Sequence, residues 1–484
     1  MLNVVIVGGG IAGFAAAISL RRAGHAVHIY ERSSFNNEIG AAIHLCPNAA
    51  RALLAWGLDP VRAKFVVCKC SFRAKGDTLE KFHVGKEDYI EEKFGVPWFL
   101  CHRVDLHEEL KRLATEPEGA GTPAEVHLKS EVVKYAFVYA VVWPRRYLSR
   151  QLGSRNSQDR IRLPIFDTDG GVLYLPRWIG PIRLWDSETP SITLSDGEVI
   201  KGDLVIAADG VHTLSVEEVI GRVNPPEPQD HYNFCYRFLI PAADIEADPD
   251  TKFWQDGDDG RMKFLVGNLK RIVSYPCRNN EVQNFVAIFH NADVKTMEKE
   301  DWQKSVDKSK LVELYHDFHP NVIKILEKAT EVKQWALLFR PPIPSWTKGK
   351  MALAGDAAHP MLPHQGQGGA QGIEDGVVMG MALIGATPVQ VADRIKMYEK
   401  IRINRASVMQ IFSNAGQEEP ERIRDEASKF IPADEVPKTP EEFFQYNFGY
   451  DVIRDTVQQM EAHDSSYKLP ENYWTVPPKR GVYP

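Results

Sequence analysis

Residues 1–20 read MLNVVIVGGGIAGFAAAISL. Val4 to Val7 make a β-branched run suited to a buried parallel strand, and the alanines and leucine from Ile11 to Arg22 suit a helix. Gly8, Gly10 and Gly13 therefore fall at a strand-to-helix turn, and each has its own part to play there. The first permits the tight bend, the second lets backbone approach a pyrophosphate, and the third lets helix and strand pack closely. The positive end of the helix then faces the phosphates. A second strand is expected from Ala26 to Tyr30, with Glu31 at its carboxyl end, where the dinucleotide fingerprint requires an acid for the ribose hydroxyls. An acid in place of an arginine argues against a 2′-phosphate, so this unit fits NAD or FAD and not NADP.

A secretory signal is excluded as a reading of the same stretch, because no Lys or Arg precedes Arg21. No segment reaches the ~18 uninterrupted apolar residues of a membrane helix, and the longest candidate, Val377 to Ala386, is broken by glycine. A protein without a membrane span, in the cytoplasm, is expected. The 484 residues predict two or three domains. A net charge of -7 gives no reason to expect nucleic acid or an anionic lipid surface as partner. The six cysteines form no CxxC pair and no zinc spacing, and Cys68 and Cys70 read as packing thiols on one face of a strand.

Two later stretches extend the argument. GDLVIAADGVH carries a buried strand from Leu204 to Ala208 into Asp209 and Gly210, a pattern that alone fits any strand followed by a turn. GKMALAGDAAHPMLPHQGQGGAQGIEDG runs a short strand, Met351 to Ala354, into Gly355 and Asp356, then a Pro- and Gly-rich loop and a helix from near Ala370. Asp356 is placed to accept hydrogen bonds from a polyol, and the loop amides with the helix start suit a group that becomes anionic, such as a reduced flavin. His359 and His364 flank prolines without an evident third ligand, so no metal site is expected. His316 and His319 read as surface residues in a charged helical region. No GxSxG elbow is present.

At these residues the chain resembles the FAD-dependent aromatic hydroxylases, the flavoprotein monooxygenases that include salicylate and 4-hydroxybenzoate hydroxylases. The likeness rests on GGGIAG with Glu31, GAAIHLCPNAARALLAWGL, CHRVDLHEEL, and the Asp209-Gly210 and Gly355-Asp356 motifs, which together span most of residues 1 to 415. The resemblance implies an α/β protein: a Rossmann-like FAD-binding domain with an inserted β-sheet substrate domain and a helical C-terminal region. It implies that Glu31 binds the adenosine ribose, that Arg103 reaches the pyrophosphate and ribityl region, and that Asp356 holds the ribityl chain. The backbone from Gly366 to Gly369 is expected to face the flavin pyrimidine edge and Ala42 to lie close to the isoalloxazine. Asp209-Gly210 is expected to serve FAD and the nicotinamide donor. The implied reaction uses FAD, NADPH or NADH as co-substrate, and O2, hydroxylating an aromatic or other electron-rich small molecule through a flavin C4a-hydroperoxide. Arg237 and Tyr275, in NFCYRFLIP and RIVSYPCRNNEVQNFVAIF, are the candidate catalytic residues facing a phenolic substrate; a surface ion pair and simple packing are the alternative readings. His44 is a candidate proton carrier beside the flavin.

The motif order implies a discontinuous layout. The FAD domain takes 1–65, 97–225 and 340–385, the substrate domain 66–96 and 226–339, and a helical region with a loose tail 386–484. Residues 136–186 fit badly: they hold eight Arg, no Lys and no Glu, whereas elsewhere Lys outnumbers Arg by 29 to 21. Their flanks read as one hairpin, so this segment is expected to be an insertion, such as a translated retained intron. A second departure is Glu217 and Glu218, where the family often has an arginine after Asp209-Gly210. A flavin oxidase or epoxidase, or a flavin-binding protein disabled by the insertion, are the alternative functions.

Overall fold

The computed structural model describes residues 1–35, 41–138, 164–166, 172–174, 189–226, 234–257, 259–290, 304–337, 339–415 and 420–480. The opening unit forms as its residues dictate: strand Asn3–Val7, helix Ile11–Arg22 and strand Ala26–Glu31. It sits at the centre of a six-stranded sheet. In order the strands are Thr347–Lys348, Met351–Leu353, Leu204–Ala207, Asn3–Val7, Ala26–Glu31 and Glu125–Leu128, parallel except at the first pairing. Val5 lies opposite both Val205 and His28. The strands that end in Glu31, Asp209 and Asp356 thus all deliver their carboxyl ends to one edge, where ligands of open α/β sheets bind.

Helix Gly368–Ala382 lies directly on helix Ile11–Arg22, and a glycine seam makes the approach possible. A Cβ on Gly372 would sit 3.1 Å from Ala12 Cβ, one on Gly376 2.5 Å from the Ala15 carbonyl carbon, and one on Gly380 2.1 Å from Ser19 Oγ. This contact brings the Gly355–Gly369 segment beside the Gly8–Gly10 turn. The chain's end closes the back of the unit. Tyr473 OH meets Ser19 Oγ at 2.6 Å, Arg22 Nη1 donates to the Tyr473 carbonyl, and Trp474 stacks on Trp56.

A second, eight-stranded sheet is built from residues 70–86, 234–289 and 304–336. Its central strands alternate their side chains between the two faces. Phe234, Tyr236, Phe238, Ile272, Phe285 and Phe289 bury against Leu311, Tyr315, Val322 and Ile325 of two short helices. The other face carries Cys235, Val286 and Ile288 against Leu362, from the loop after Asp356. Helices Val391–Ala415, Pro420–Ala427, Pro440–Phe448 and Val452–His463 complete the chain. Among the described residues no helix is long and apolar enough to cross a membrane.

Strand Val132–Val138 pairs antiparallel with Thr189–Leu194, with Ala136 opposite Ser191 and Val138 opposite Thr189. The hairpin therefore continues three residues past the expected start of the insertion, because the ladder still has partners there. Within 136–186 the short strands Pro164–Phe166 and Val172–Tyr174 also pair. Trp143, Trp178 and Trp185 lie outside the described residues.

Candidate active site

The first turn is shaped by two collisions that only glycine avoids. Gly8 has φ +101°, and a Cβ there would lie 2.3 Å from the Ala208 carbonyl oxygen; one on Gly13 would lie 2.0 Å from the Gly8 oxygen. A Cβ on Gly10, by contrast, meets nothing within 4 Å. The turn is held from both sides: the Gly9 amide donates to Glu31 Oε2 at 2.7 Å, and the Gly9 carbonyl meets His107 Nε2 at 2.6 Å. Glu31 Oε1 accepts from the Ser33 amide. A carboxylate has about four acceptor sites, so Glu31 keeps capacity for two ribose hydroxyls.

Asp356 follows at the next strand end. Its side chain opens into the cleft, yet protein surrounds it, and burial raises its pKa against the opposing positive fields of His359, Arg103 and Arg340. Arg103 begins helix Arg103–Thr115, its amide donating to the Ala41 carbonyl. The structure thus brings Arg103 within electrostatic reach of Asp356. Asp209 is tied differently. Tyr135 OH donates to its Oδ2 at 2.8 Å and Ser215 Oγ to its Oδ1 at 3.3 Å, and burial raises its pKa despite these bonds. Its backbone abuts Gly8, and Gly210, at φ +81°, turns the chain away.

The second sheet roofs the cleft. The Asn284 side-chain oxygen accepts from the Ala42 amide, and Tyr275 OH donates to the Ala42 carbonyl at 2.9 Å. Tyr275 is 4% exposed, and its hydroxyl is committed to this latch, which the alternating strand pattern gave no means of foreseeing. Its ring meets His44 edge-on at 4.6 Å, and Trp98 also meets His44 edge-on, at 5.5 Å. His44 in turn backs Gly366, whose Cβ would lie 2.8 Å from His44 Nδ1 at φ +62°. Burial pushes the His44 pKa down to about 4, so the ring is neutral near pH 7. Gly369, in the first turn of the helix that follows, lies against Ile11 and Ile43. Arg271 Nη2 meets His364 Nδ1 at 2.6 Å, a second link from sheet to loop.

Arg237 lies on the same sheet face. Its guanidinium sits 5.6 Å from the Trp335 ring centroid, and Nε is shielded from solvent without a hydrogen-bond partner among the described residues. Its charge reaches both Tyr275 and Cys235. Away from the cleft, His28, Glu125 and His127 offer ligand atoms within 4.8 Å of one another. Strand alternation puts His28 on the opposite face from Glu31, and His28 already pairs with Glu125, which is 68% exposed. We read this group as a surface polar contact.

These residues fit FAD: an open approach at Gly10, an acid for ribose, a recessed acid for a polyol, and a glycine-rich backbone facing an apolar roof. The fold and cleft together define a dinucleotide-binding α/β protein whose second sheet is latched to the cleft at Ala42. A sequence profile described as FAD binding domain matches residues 186–413, and one described as NAD(P)-binding Rossmann-like domain matches residues 6–43. The chain is 38% identical over 477 residues to the FAD-dependent monooxygenase cfoG of Aspergillus candidus, covering 98% of each. It is 27% identical over 414 residues to the 3-hydroxybenzoate 6-hydroxylase of Klebsiella oxytoca, covering 84% of this chain and 86% of that one. The crystal structure of CtdE in complex with FAD and a substrate shares the fold, with TM-score 0.70 at 19% identity over 96% of this chain and 98% of that one. The chain belongs to the FAD-dependent monooxygenases, and FAD is its cofactor.

Gly10→Ala separates cofactor from fold. The added methyl has space in the protein alone, so thermal stability without flavin is expected to stay within about 1 kcal/mol. The same methyl occupies the pyrophosphate approach, so FAD affinity is expected to fall at least roughly tenfold, as measured by flavin fluorescence titration. Wild-type affinity would remove Gly10 from the cofactor site.

Proposed function

We propose that the chain hydroxylates a small aromatic molecule bearing an ionisable hydroxyl, with NAD(P)H as reductant and O2 as oxygen donor. The observation that carries this reading is Arg237, a cation with an unsatisfied Nε on the apolar face of the roof. The relative's name, 3-hydroxybenzoate 6-hydroxylase, supports an aromatic substrate. The overall balance is aromatic C–H plus O2, NAD(P)H and a proton, giving aromatic C–OH, NAD(P)+ and water. Bound FAD supplies the redox chemistry, taking electrons from the nicotinamide and delivering one oxygen atom to the ring.

The chain's residues do the rest. Glu31, Arg103 and Asp356 would hold the cofactor, with the Gly366–Gly369 backbone supplying amides to its flavin end. Arg237 binds the substrate's oxygen and favours its anion, which makes the ring more electron-rich. Val273, Val286 and Leu362 provide a dry wall next to it, excluding water and so limiting the unproductive diversion of reducing equivalents and O2 into hydrogen peroxide. Tyr275 acts by position: it fixes Ala42 and buttresses His44. His44, neutral in its pocket, adds no charge to compete with that of Arg237.

The test is NAD(P)H consumption by the flavin-loaded protein across paired phenols and their O-methyl ethers, with 18O2 and mass analysis of products. Phenols that gain one labelled oxygen, while ethers do not, support the reading. Hydrogen peroxide as the sole product, or equal turnover of ethers, overturns it. Arg237→Ala is expected to keep its flavin and to raise KM for the phenol roughly 10- to 100-fold, the value of one lost charge-assisted hydrogen bond. Unchanged KM and turnover would take Arg237 out of the site.

A further inference from the structure

Two separate parts of the cofactor loop lead to one buried side chain. Arg402, in helix Val391–Ala415, has no solvent exposure. Its Nε donates to Asp375 Oδ1 at 2.9 Å, its Nη1 to Glu374 Oε2 at 2.5 Å, and its Nη2 to Gln371 Oε1 at 2.7 Å. Asp375 uses its other oxygen on the turn that carries Asp356: Oδ2 accepts from the Gly355 amide at 2.8 Å and pairs with His359 Nε2 at 2.6 Å. Glu374 uses its other oxygen on Asn48, whose Nδ2 donates to it at 2.6 Å and also to Gln367 Oε1 at 3.1 Å. Gln371 Nε2 reaches the same Gln367 oxygen at 3.2 Å. Asn48, Gln367, Gln371, Glu374, Asp375 and His359 are all fully buried.

The guanidinium fork is therefore a hub with two arms. One ends on the backbone of Gly355, the residue before the ribityl ligand Asp356. The other ends on Gln367, inside the glycine-rich backbone that faces the flavin pyrimidine edge. We propose that Arg402 is a positioning residue that sets the spacing between these two parts of the FAD site, and through it both the affinity for FAD and the reduction potential of the bound flavin. This rests on the reading that Asp356 and Gly366–Gly369 hold the cofactor. Arg402 does not touch the cofactor itself, since no part of its side chain reaches the cleft surface. A planar, five-donor fork suits this position because it engages two adjacent carboxylates and an amide at once, which the point charge of a lysine cannot do. Buried in a low dielectric, such a satisfied network holds one arrangement.

Removing the arginine outright would take the central charge from two buried carboxylates, leaving Asp375 to His359 and Glu374 to Asn48 and the more distant Arg405, and would threaten folding. The test therefore uses Arg402→Lys, which keeps the charge and loses the fork, and Asn48→Leu, which cuts the path from Glu374 to Gln367 and leaves the path through Gln371. Both are measured on the full chain for FAD dissociation constant, flavin reduction potential and thermal stability. Expected for Arg402→Lys are a dissociation constant raised at least tenfold and a shifted potential. Expected for Asn48→Leu are a smaller rise and a shifted potential. Should Arg402→Lys not fold, Asn48→Leu decides. Variants that melt earlier but keep wild-type affinity and potential would show a merely structural network and overturn the proposal. A wild-type protein that binds no FAD would instead overturn the assignment of the loop, so the two failures are distinguishable.

Discussion

Gly376→Val is expected to abolish soluble, flavin-bearing protein. The Cβ of any side chain at 376 would fall 2.5 Å from both the Ala15 carbonyl carbon and the Ala16 amide nitrogen. Those are backbone atoms of a helix buried from Gly13 to Arg22, so no rotamer change relieves the clash. The two helices must separate instead. Their seam runs through Gly372, Gly376 and Gly380, one residue per helical turn, against Ala12, Ala15–Ala16 and Ser19. Separation at the middle position opens the contact along its length. A cost of at least about 3 kcal/mol follows, at the upper end for an overpacked core and a large share of a domain's net stability. The separation also moves the Gly355–Gly369 loop away from the Gly8–Gly10 turn, so surviving protein should hold little FAD. Soluble yield, melting temperature and flavin content after gel filtration measure the effect. A soluble variant with wild-type flavin content would show that the helices do not need this closeness.

That seam marks a limit of what residues alone disclose. The glycines of GGAQGIEDGVVMG stand four apart in plain view, but their spacing shows a smooth helix face without showing what lies on it. The opening turn was legible because its physics is local: a β-branched strand, three glycines and an acid 30 residues in leave one geometry that fits. The second sheet was legible through the likeness of its strands to the family, which singled out Arg237 and Tyr275, and the ladder puts both on one face. Alternation says nothing of partners, and Tyr275 proved to commit its hydroxyl to the Ala42 carbonyl. His107 was hidden for a similar reason. It stands one turn after Arg103 on the same helix, and only the fold brings it to the Gly9 carbonyl. Arg402 lay deepest, because IRINRASV in a polar helix reads as a solvated face. Its burial depends on Glu374 and Asp375 arriving from a helix some 27 residues earlier.

Asp356→Ala is expected to strip the protein of FAD while leaving its fold intact. The carboxyl opens into the cleft instead of tying neighbouring side chains together, so the apoprotein loses little. Burial already disfavours its charge, raising its pKa, while His359, Arg103 and Arg340 pull the other way. Such a group costs the empty protein something and is kept for what it binds. Removal takes from Arg103 and Arg340 a counter-charge within their electrostatic reach. The lost bonds from a carboxylate to polyol hydroxyls are charge-assisted, each worth roughly 1.5–3 kcal/mol. FAD affinity should therefore fall by roughly 100-fold, enough to lose flavin during purification. Asp356→Asn keeps one acceptor oxygen without the charge, and its affinity should lie between those of alanine and wild type. Melting temperatures of the three apoproteins should agree closely, since the effect acts on binding. Equal flavin content in all three would show that the ribityl chain is held elsewhere. A large drop in apoprotein stability would show instead that Asp356 belongs to the network beneath the loop, with Asp375 and Arg402, and not to the cleft.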